Sequence, residues 1–259
     1  MAVFNTIENQ RFDCTRKTVE SLMHQVDLKR HELFIVNNAS TDPRTEPFLA
    51  ELQKNGQAII ITNESNLGTA RAVNRAWAQR KPGQHCVKID DDVVVHHRDW
   101  PDVLEEVFRR DPKIGQAGLK RNDLSQSPWC DNPDYRTKLI MLPHPPGERW
   151  IMVEQSSEIM GTCVAHSSAL LDAVGYLCQP ENYGWDDVIM SIRSLKAGFI
   201  NVFVPHIPID HIDNIQKEYQ KWKENVAGRG VNSYLAMAHG VVNGTIPIKC
   251  DIDCNPVDQ

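Results

Sequence analysis

Three consecutive aspartates, Asp90-Asp91-Asp92, are the sharpest chemical feature of this chain. They follow an apolar run directly, where three carboxylates repel one another unless a cation or solvent relieves them. Mg2+ or Mn2+ suits such a place, taking one or two carboxylates and completing its shell with the oxygens of a bound diphosphate. Asp90 and Asp92 form an Asp-x-Asp pair that could aim two carboxylates at one ligand; a solvated loop carrying a helix cap is the plainer alternative. A second pair, Asp186-Asp187, follows Tyr183-Gly184-Trp185 and opens a helical pattern. Paired carboxylates at a helix start commonly complement the helix dipole. As chemistry, an ionised aspartate facing a sugar hydroxyl can act as general base, and Tyr183 and Trp185 offer flat faces to a sugar ring. Two polar clusters complete the set. Asn37-Asn38-Ala39-Ser40-Thr41-Asp42 could hydrogen-bond a base or ribose edge, or form an Asx-type turn with a helix cap. In Asn66-Leu67-Gly68 to Asn74, Gly68 opens a helix whose free N–H groups favour an anion, with Arg71 and Asn74 on its first turns. His211 is a candidate metal ligand.

These residues need rigid elements behind them. Short apolar runs at residues 2–6, 33–38, 58–62 and 85–89 read as strands, the last running straight into the aspartates. Between them, Val19, Leu22, Met23 and Val26 fall at the spacing of a helix stripe. Asp42-Pro43 reads as a cap and first turn for a helix carrying Phe48, Leu49 and Leu52. Residues 68–80 form a third helix, and Asp99 with Trp100-Pro101 opens a fourth. Strands alternating with helices of this length imply parallel βαβ units, with ligands beyond the carboxyl ends of the strands. Residues 122–148, with Trp129, Tyr135 and His144, form a long polar excursion suited to an acceptor loop. A helix over 186–196, a strand over 199–205, a polar helix over 217–226 and a weakly patterned tail follow.

Composition narrows the function. With 28 Lys and Arg against 34 Asp and Glu, the net charge of −6 speaks against an extended nucleic-acid track. No apolar run approaches the roughly 18–20 residues of a membrane span, and no export signal is visible, so a cytoplasmic location is expected. Seven scattered cysteines suit reduced thiols. Cys250 and Cys254 have no second pair nearby and do not read as a zinc clip.

Taken in order, these segments resemble family 2 glycosyltransferases of the GT-A fold. The resemblance rests on Asn37 to Asp42, Asn66-Leu67-Gly68 to Asn74, Asp90–Asp92, and Asp186-Asp187 leading to Lys196-Ala197-Gly198. Met160-Gly161-Thr162 looks like the family's glycine stretch before its acceptor helix. The resemblance implies an α/β fold with a Rossmann-like, mainly parallel twisted sheet flanked by helices and a smaller acceptor-side subregion. Residues 1–215 would be the catalytic domain (1–120 nucleotide-sugar half, 121–215 acceptor half), and 216–259 a helical extension and tail. It further implies a metal-dependent, inverting transfer from a nucleoside-diphosphate sugar, usually a UDP-sugar, to a saccharide or glycoconjugate hydroxyl. Carried over residue by residue, Asn37, Asn38 and Asp42 would line the nucleoside pocket with Asn66, Gly68 and Asn74, and Arg71 would contact base or phosphate. Asp90 would hold the ribose or metal side, with Asp91 beside it on the donor. Asp92 and His211 would ligate Mn2+ or Mg2+. Asp187 matches the catalytic base and Asp186 would contact the acceptor with Trp185 and Tyr183, though the two aspartates could exchange roles. Asn37 stands where the family usually has Asp, and Asp186 where Glu is usual. Three other readings stay open. They are the same chemistry on a hydroxylated nucleic-acid base (using Lys120-Arg121 and Lys217, Lys221, Lys223 and Arg229), a sugar-1-phosphate nucleotidyltransferase, and a non-catalytic nucleotide-sugar-binding module.

Overall fold

The computed structural model describes residues 1–123, 138–212 and 217–258, the side chains of 217–229 excepted. Trp129, Tyr135 and the side chains of Lys217, Lys221, Lys223 and Arg229 therefore lie outside the described residues. The first half alternates strand and helix as the pattern predicts. Strands β1 (Ala2–Val3), β2 (Phe34–Asn37) and β3 (Ile59–Thr62) form one wholly parallel sheet in the order β1-β2-β3. Helices α1 (Phe12–Gln25), α2 (Thr45–Lys54) and α3 (Thr69–Trp77) connect and cover them. The α1 stripe is buried at Val19 and Leu22, and α3 buries Ala70, Val73 and Trp77. Helix α2 starts three residues after Asp42. The Asp42 carboxylate accepts from the Arg44 backbone N–H and from its guanidinium, which spends those residues on a turn before the first helical bond.

β4 (Cys86–Ile89) leads a second, seven-stranded sheet of order β4-β9-β6-β10-β8-β7. The remaining strands are β5 (Val93–Val95), β6 (Ile114–Arg121), β7 (Lys138–Met141), β8 (Met152–Ser156), β9 (Cys163–His166) and β10 (Ile200–His211). β6 and β10 run parallel; β9 lies antiparallel to β4 and β6, and β8 and β5 antiparallel to β10. Helices α4 (Trp100–Arg110), α5 (Ser168–Val174) and α6 (Asp186–Lys196) pack around it, and α7 (Lys217–Asn243) lies along α6. The C-terminal tail, weakly patterned in sequence, folds into the hairpin β11 (Lys249–Cys250) and β12 (Pro256–Val257).

Two departures from the sequence pattern bear on the site. β10 does not stop at Pro205 but continues to His211, absorbing Pro205 and Pro208 through a register shift between Val204 and Ile209. That extension pairs with β5 and sets His211 opposite Val93, one residue beyond Asp92. β6 carries no run of β-branched residues because its glycines are packing requirements: a Cβ at Gly118 would come 2.5 Å from Ile159 Cγ2.

Candidate active site

Both acidic motifs open onto one cleft of about 1040 Å3, at the carboxyl end of β4 and the start of α6. That volume is at the upper end for a small-molecule pocket and leaves room for two reactants. Asp90, Asp91 and Asp92 line it with Asp186, Asp187, Tyr183, Trp185, His211, Asn38, Asn66 and Gly68.

On the β4 side, Asp91 and Asp92 lie in a turn rather than an extended strand. Asp92 is buried; its Oδ2 is 2.8 Å from Arg11 Nη2 and 3.2 Å from His211 Nε2. The Ile212 N–H donates to the Asp92 carbonyl at 2.8 Å, fixing the end of β10 against the motif. Burial opposes charge on Asp92, yet the hydrogen bond to His211 and the positive charge of Arg11 hold its carboxyl well below the usual range. Arg11 also reaches Asp91 Oδ1 at 2.6 Å, while Thr15 Oγ1 donates to Asp91 Oδ2 at 3.0 Å. Asp90 has another partner: its Oδ1 is 3.1 Å from Lys88 Nζ. Asp90 and Asp92 both line the cleft, but different cations hold the two carboxylates, Lys88 the first and Arg11 the second.

Asp92 Oδ1 is buried and takes no hydrogen bond among the described residues, which leaves a hard oxygen donor beside the His211 imidazole. No three His, Cys, Asp or Glu side chains gather around a point among the described residues. Asp92 and His211 therefore fit a cation that draws its remaining ligands from a bound diphosphate.

At the start of α6, Trp185 takes a left-handed conformation (φ 69°), so that Asp186 and Asp187 occupy the helix's first turn. Asp187 accepts from the Gly161 N–H at 2.8 Å through Oδ2 and from the Val188 N–H at 2.9 Å through Oδ1. Burial and the neighbouring Asp186 nevertheless push its carboxyl upward, the direction a general base needs. Asp186 is buried, with Oδ2 3.2 Å from Lys88 Nζ. Trp185 stacks on Tyr234 at 4.4 Å and 13°, so one face of its ring is covered.

Several expected contacts lie elsewhere. Arg71 is exposed and donates to the Asp253 carbonyl at 3.0 Å, because the C-terminal hairpin reaches back to α3. Asn74 is fully buried and bridges Leu177 and Ile252. Asp42 is tied to Arg44 outside the cleft lining, and Asn37 Oδ1 accepts from the Ser40 N–H in an Asx turn. Asn38 lines the cleft, but its amide is engaged by Asn63, Asn66, Leu67 and Gly68. Its task is to hold the loop before α3. Gly68 (φ 81°) is required there, since a Cβ would meet the Asn182 carbonyl oxygen at 2.6 Å. Lys120 pairs with Glu154 and Arg121 with Asp123, which leaves that basic cluster neutralised.

Three cleft residues were missed in the sequence. Lys88 had a readable signal, a lysine inside the apolar strand Cys86-Val87-Lys88-Ile89, because a buried ammonium must find carboxylates. Arg11 and Glu158 had none, as each arrives from a loop distant in sequence. Burial and Asp187 push the Glu158 carboxyl up to about 7.

The profile of glycosyl transferase family 2 matches residues 1–162. Among curated proteins, the chain is 22% identical over 231 residues to the uncharacterized protein y4gI of Sinorhizobium fredii, covering 82% of this chain and 24% of that one. It is 27% identical over 115 residues to the poly-beta-1,6-N-acetyl-D-glucosamine synthase of Staphylococcus aureus, covering 44% and 26%. The chain thus spans about a quarter of the length of these relatives. Among solved structures, the mannosyltransferase PcManGT of Pyrobaculum calidifontis, in complex with GDP-Man and Mn2+, superposes with a TM-score of 0.61 at 18% identity, over 85% of this chain and 59% of that one. GalNAc-T7 with UDP, GalNAc and Mn2+ gives 0.59 at 16%, over 81% and 42%. The shared fold is GT-A.

Proposed function

Because the chain belongs to glycosyl transferase family 2, we propose that it moves a sugar from a nucleoside-diphosphate sugar to an acceptor hydroxyl, in a single displacement that inverts the anomeric carbon. The observation that carries this reading is one cleft with two unlike carboxylate sites. Asp92, kept ionised beside His211 and Arg11, lies in the turn after β4; Asp187, with its raised affinity for a proton, lies in the first turn of α6. Such a pairing separates a leaving-group site from a base.

Asp187 takes the proton of the acceptor hydroxyl as that oxygen attacks the anomeric carbon. The Gly161 and Val188 N–H groups fix the carboxylate, so it can present its remaining lone pairs to the acceptor. Asp186, Tyr183 and Trp185 orient that acceptor. Arg11 puts positive charge at the Asp91-Asp92 end, where the diphosphate departs. A divalent cation, Mn2+ or Mg2+, held by Asp92 and His211 would add Lewis-acid stabilisation of the departing nucleoside diphosphate. UDP-sugars are the favoured donors, in keeping with the UDP complex of GalNAc-T7. The acceptor is a saccharide or glycoconjugate; nucleic acid is disfavoured by the pairing of Lys120 and Arg121. Residues 1–215 carry the reaction and 216–259 brace it, in a cytoplasmic setting that keeps the thiols reduced.

The test is a panel of nucleotide sugars with Mn2+, read by nucleoside diphosphate release. One donor should be turned over well above the rest. Release of pyrophosphate from a nucleoside triphosphate and a sugar 1-phosphate would instead identify a nucleotidyltransferase, and binding without turnover a non-catalytic module.

A further inference from the structure

Lys88 touches both acidic motifs. Its Nζ lies 3.1 Å from Asp90 Oδ1, 3.2 Å from Asp186 Oδ2 and 3.0 Å from the Gly161 carbonyl oxygen, and its side chain is only 6% exposed. An ammonium so buried is costly unless carboxylates and carbonyls surround it. Here the chain makes room for it: a Cβ on Gly161 would stand 2.6 Å from Nζ and 3.1 Å from Asp187 Cβ. Gly161 therefore serves two neighbours, accepting from Lys88 through its carbonyl and donating to Asp187 through its N–H.

We propose, building on the glycosyl-transfer reading, that Lys88 is a positioning residue. Its fixed charge clamps the end of β4 to the start of α6 and keeps Asp187 available as an ionised base. The groups facing Asp187 support this. Asp186 is on its own helix and Glu158 is on the segment before Gly161, both acting against its charge, while Lys88 from β4 favours it. Asp90 beside Lys88 adds another negative charge. Without the lysine, four carboxylates would crowd this end of the cleft without its charge among them, and Asp187 would hold its proton to higher pH.

The experiment compares kcat against pH, at saturating donor, for the wild-type protein and Lys88→Met, which keeps the apolar stem and removes the charge. Turnover to acceptor or to water serves equally. The acid limb of Lys88→Met should move up by about one unit or more, so that at any pH below the wild-type limb activity falls about tenfold or more, and it recovers to within a few-fold at about pH 9. A loss of the same size at every pH, or an unmoved limb, would overturn the proposal and make Lys88 a purely structural residue. Should Lys88→Met not fold, Asp186→Asn and Lys88→Met/Asp186→Asn carry the test, since removing both partners of a buried pair is far milder than removing one. The acid limb of the double variant should lie above that of Asp186→Asn; coincident limbs would refute the clamp. A wild-type protein that turns over no nucleotide sugar defeats the functional reading itself. An active wild type with an indifferent Lys88→Met defeats this inference alone.

Discussion

Replacing Asp187 with asparagine separates its two tasks, holding a loop and taking a proton. The side chain accepts two backbone N–H groups, from Gly161 at 2.8 Å and from Val188 at 2.9 Å. Asparagine offers one oxygen, so its amide nitrogen must face one of those donors. Losing a charge-assisted hydrogen bond in this way costs about 1–3 kcal/mol of stability, a fall of several degrees in Tm for a chain of this size. The catalytic loss is larger. A positioned base contributes about 10²–10⁴-fold, or about 3–5 kcal/mol of barrier, and asparagine supplies none of it. Donor binding should survive, because the Arg11–Asp92–His211 contacts do not involve the Asp187 side chain, which is held by the Gly161 and Val188 N–H groups. The assay pairs initial rates of nucleoside diphosphate release with calorimetric titration of the donor. Expected are a rate reduced at least a hundredfold and a donor Kd within about threefold of wild type. A rate within tenfold of wild type, or a donor affinity that falls as far as the rate, would refute the reasoning and mark Asp187 as a cap or ligand.

Three further outcomes follow from the same geometry. Excess chelator should abolish transfer and added Mn2+ or Mg2+ restore it, and Asp92→Asn should raise the metal concentration needed for half-activity by about tenfold or more; undiminished turnover in chelator contradicts the cation site. Glu158, raised to about 7 in the folded protein from an ordinary value of 4.5, binds more protons folded than unfolded between those pH values. Its stabilising contribution is therefore complete below about pH 4.5 and is lost as pH rises towards 7, so Glu158→Gln should flatten that part of the Tm–pH curve. An unchanged slope would place Glu158 in solvent. Gly161→Ala should cost about 1–3 kcal/mol through overpacking and lower kcat about tenfold, because the new methyl meets Lys88 Nζ and Asp187 Cβ; full activity would show that the junction tolerates displacement.

Much of the architecture was legible because periodicity reports burial directly. The stripe of α1, strand β2 and the run of β4 into the aspartates bury residues where their patterns predict, whereas β3 pairs in the sheet with Ile59 left exposed. β6 was hidden because its glycines answer to neighbours such as Ile159 that only the folded chain brings close. β10 was cut short in the reading by prolines that a bulge accommodates. At the site, motif residues bound to strand ends and helix starts fell where expected: Asp90–Asp92, Asp186, Asp187 and His211 all face the cleft. Arg71 and Asn74 did not, since the helix face they occupy is met by the C-terminal hairpin, whose docking no local pattern announces. The cations of the cleft follow the same logic. Arg11 is 80 residues from its partner Asp91 in sequence, a separation invisible to spacing, whereas Lys88 could have been inferred from the penalty of burying it alone.

The central claim is most directly tested by proton NMR of a reaction with the preferred α-linked nucleotide sugar and Mn2+. The account predicts one equivalent of nucleoside diphosphate for each sugar transferred, with the first-formed product carrying a β-anomeric linkage. A product that keeps the α configuration from the outset would contradict the single displacement on Asp187, and absence of nucleoside diphosphate release across all donors would contradict glycosyl transfer altogether.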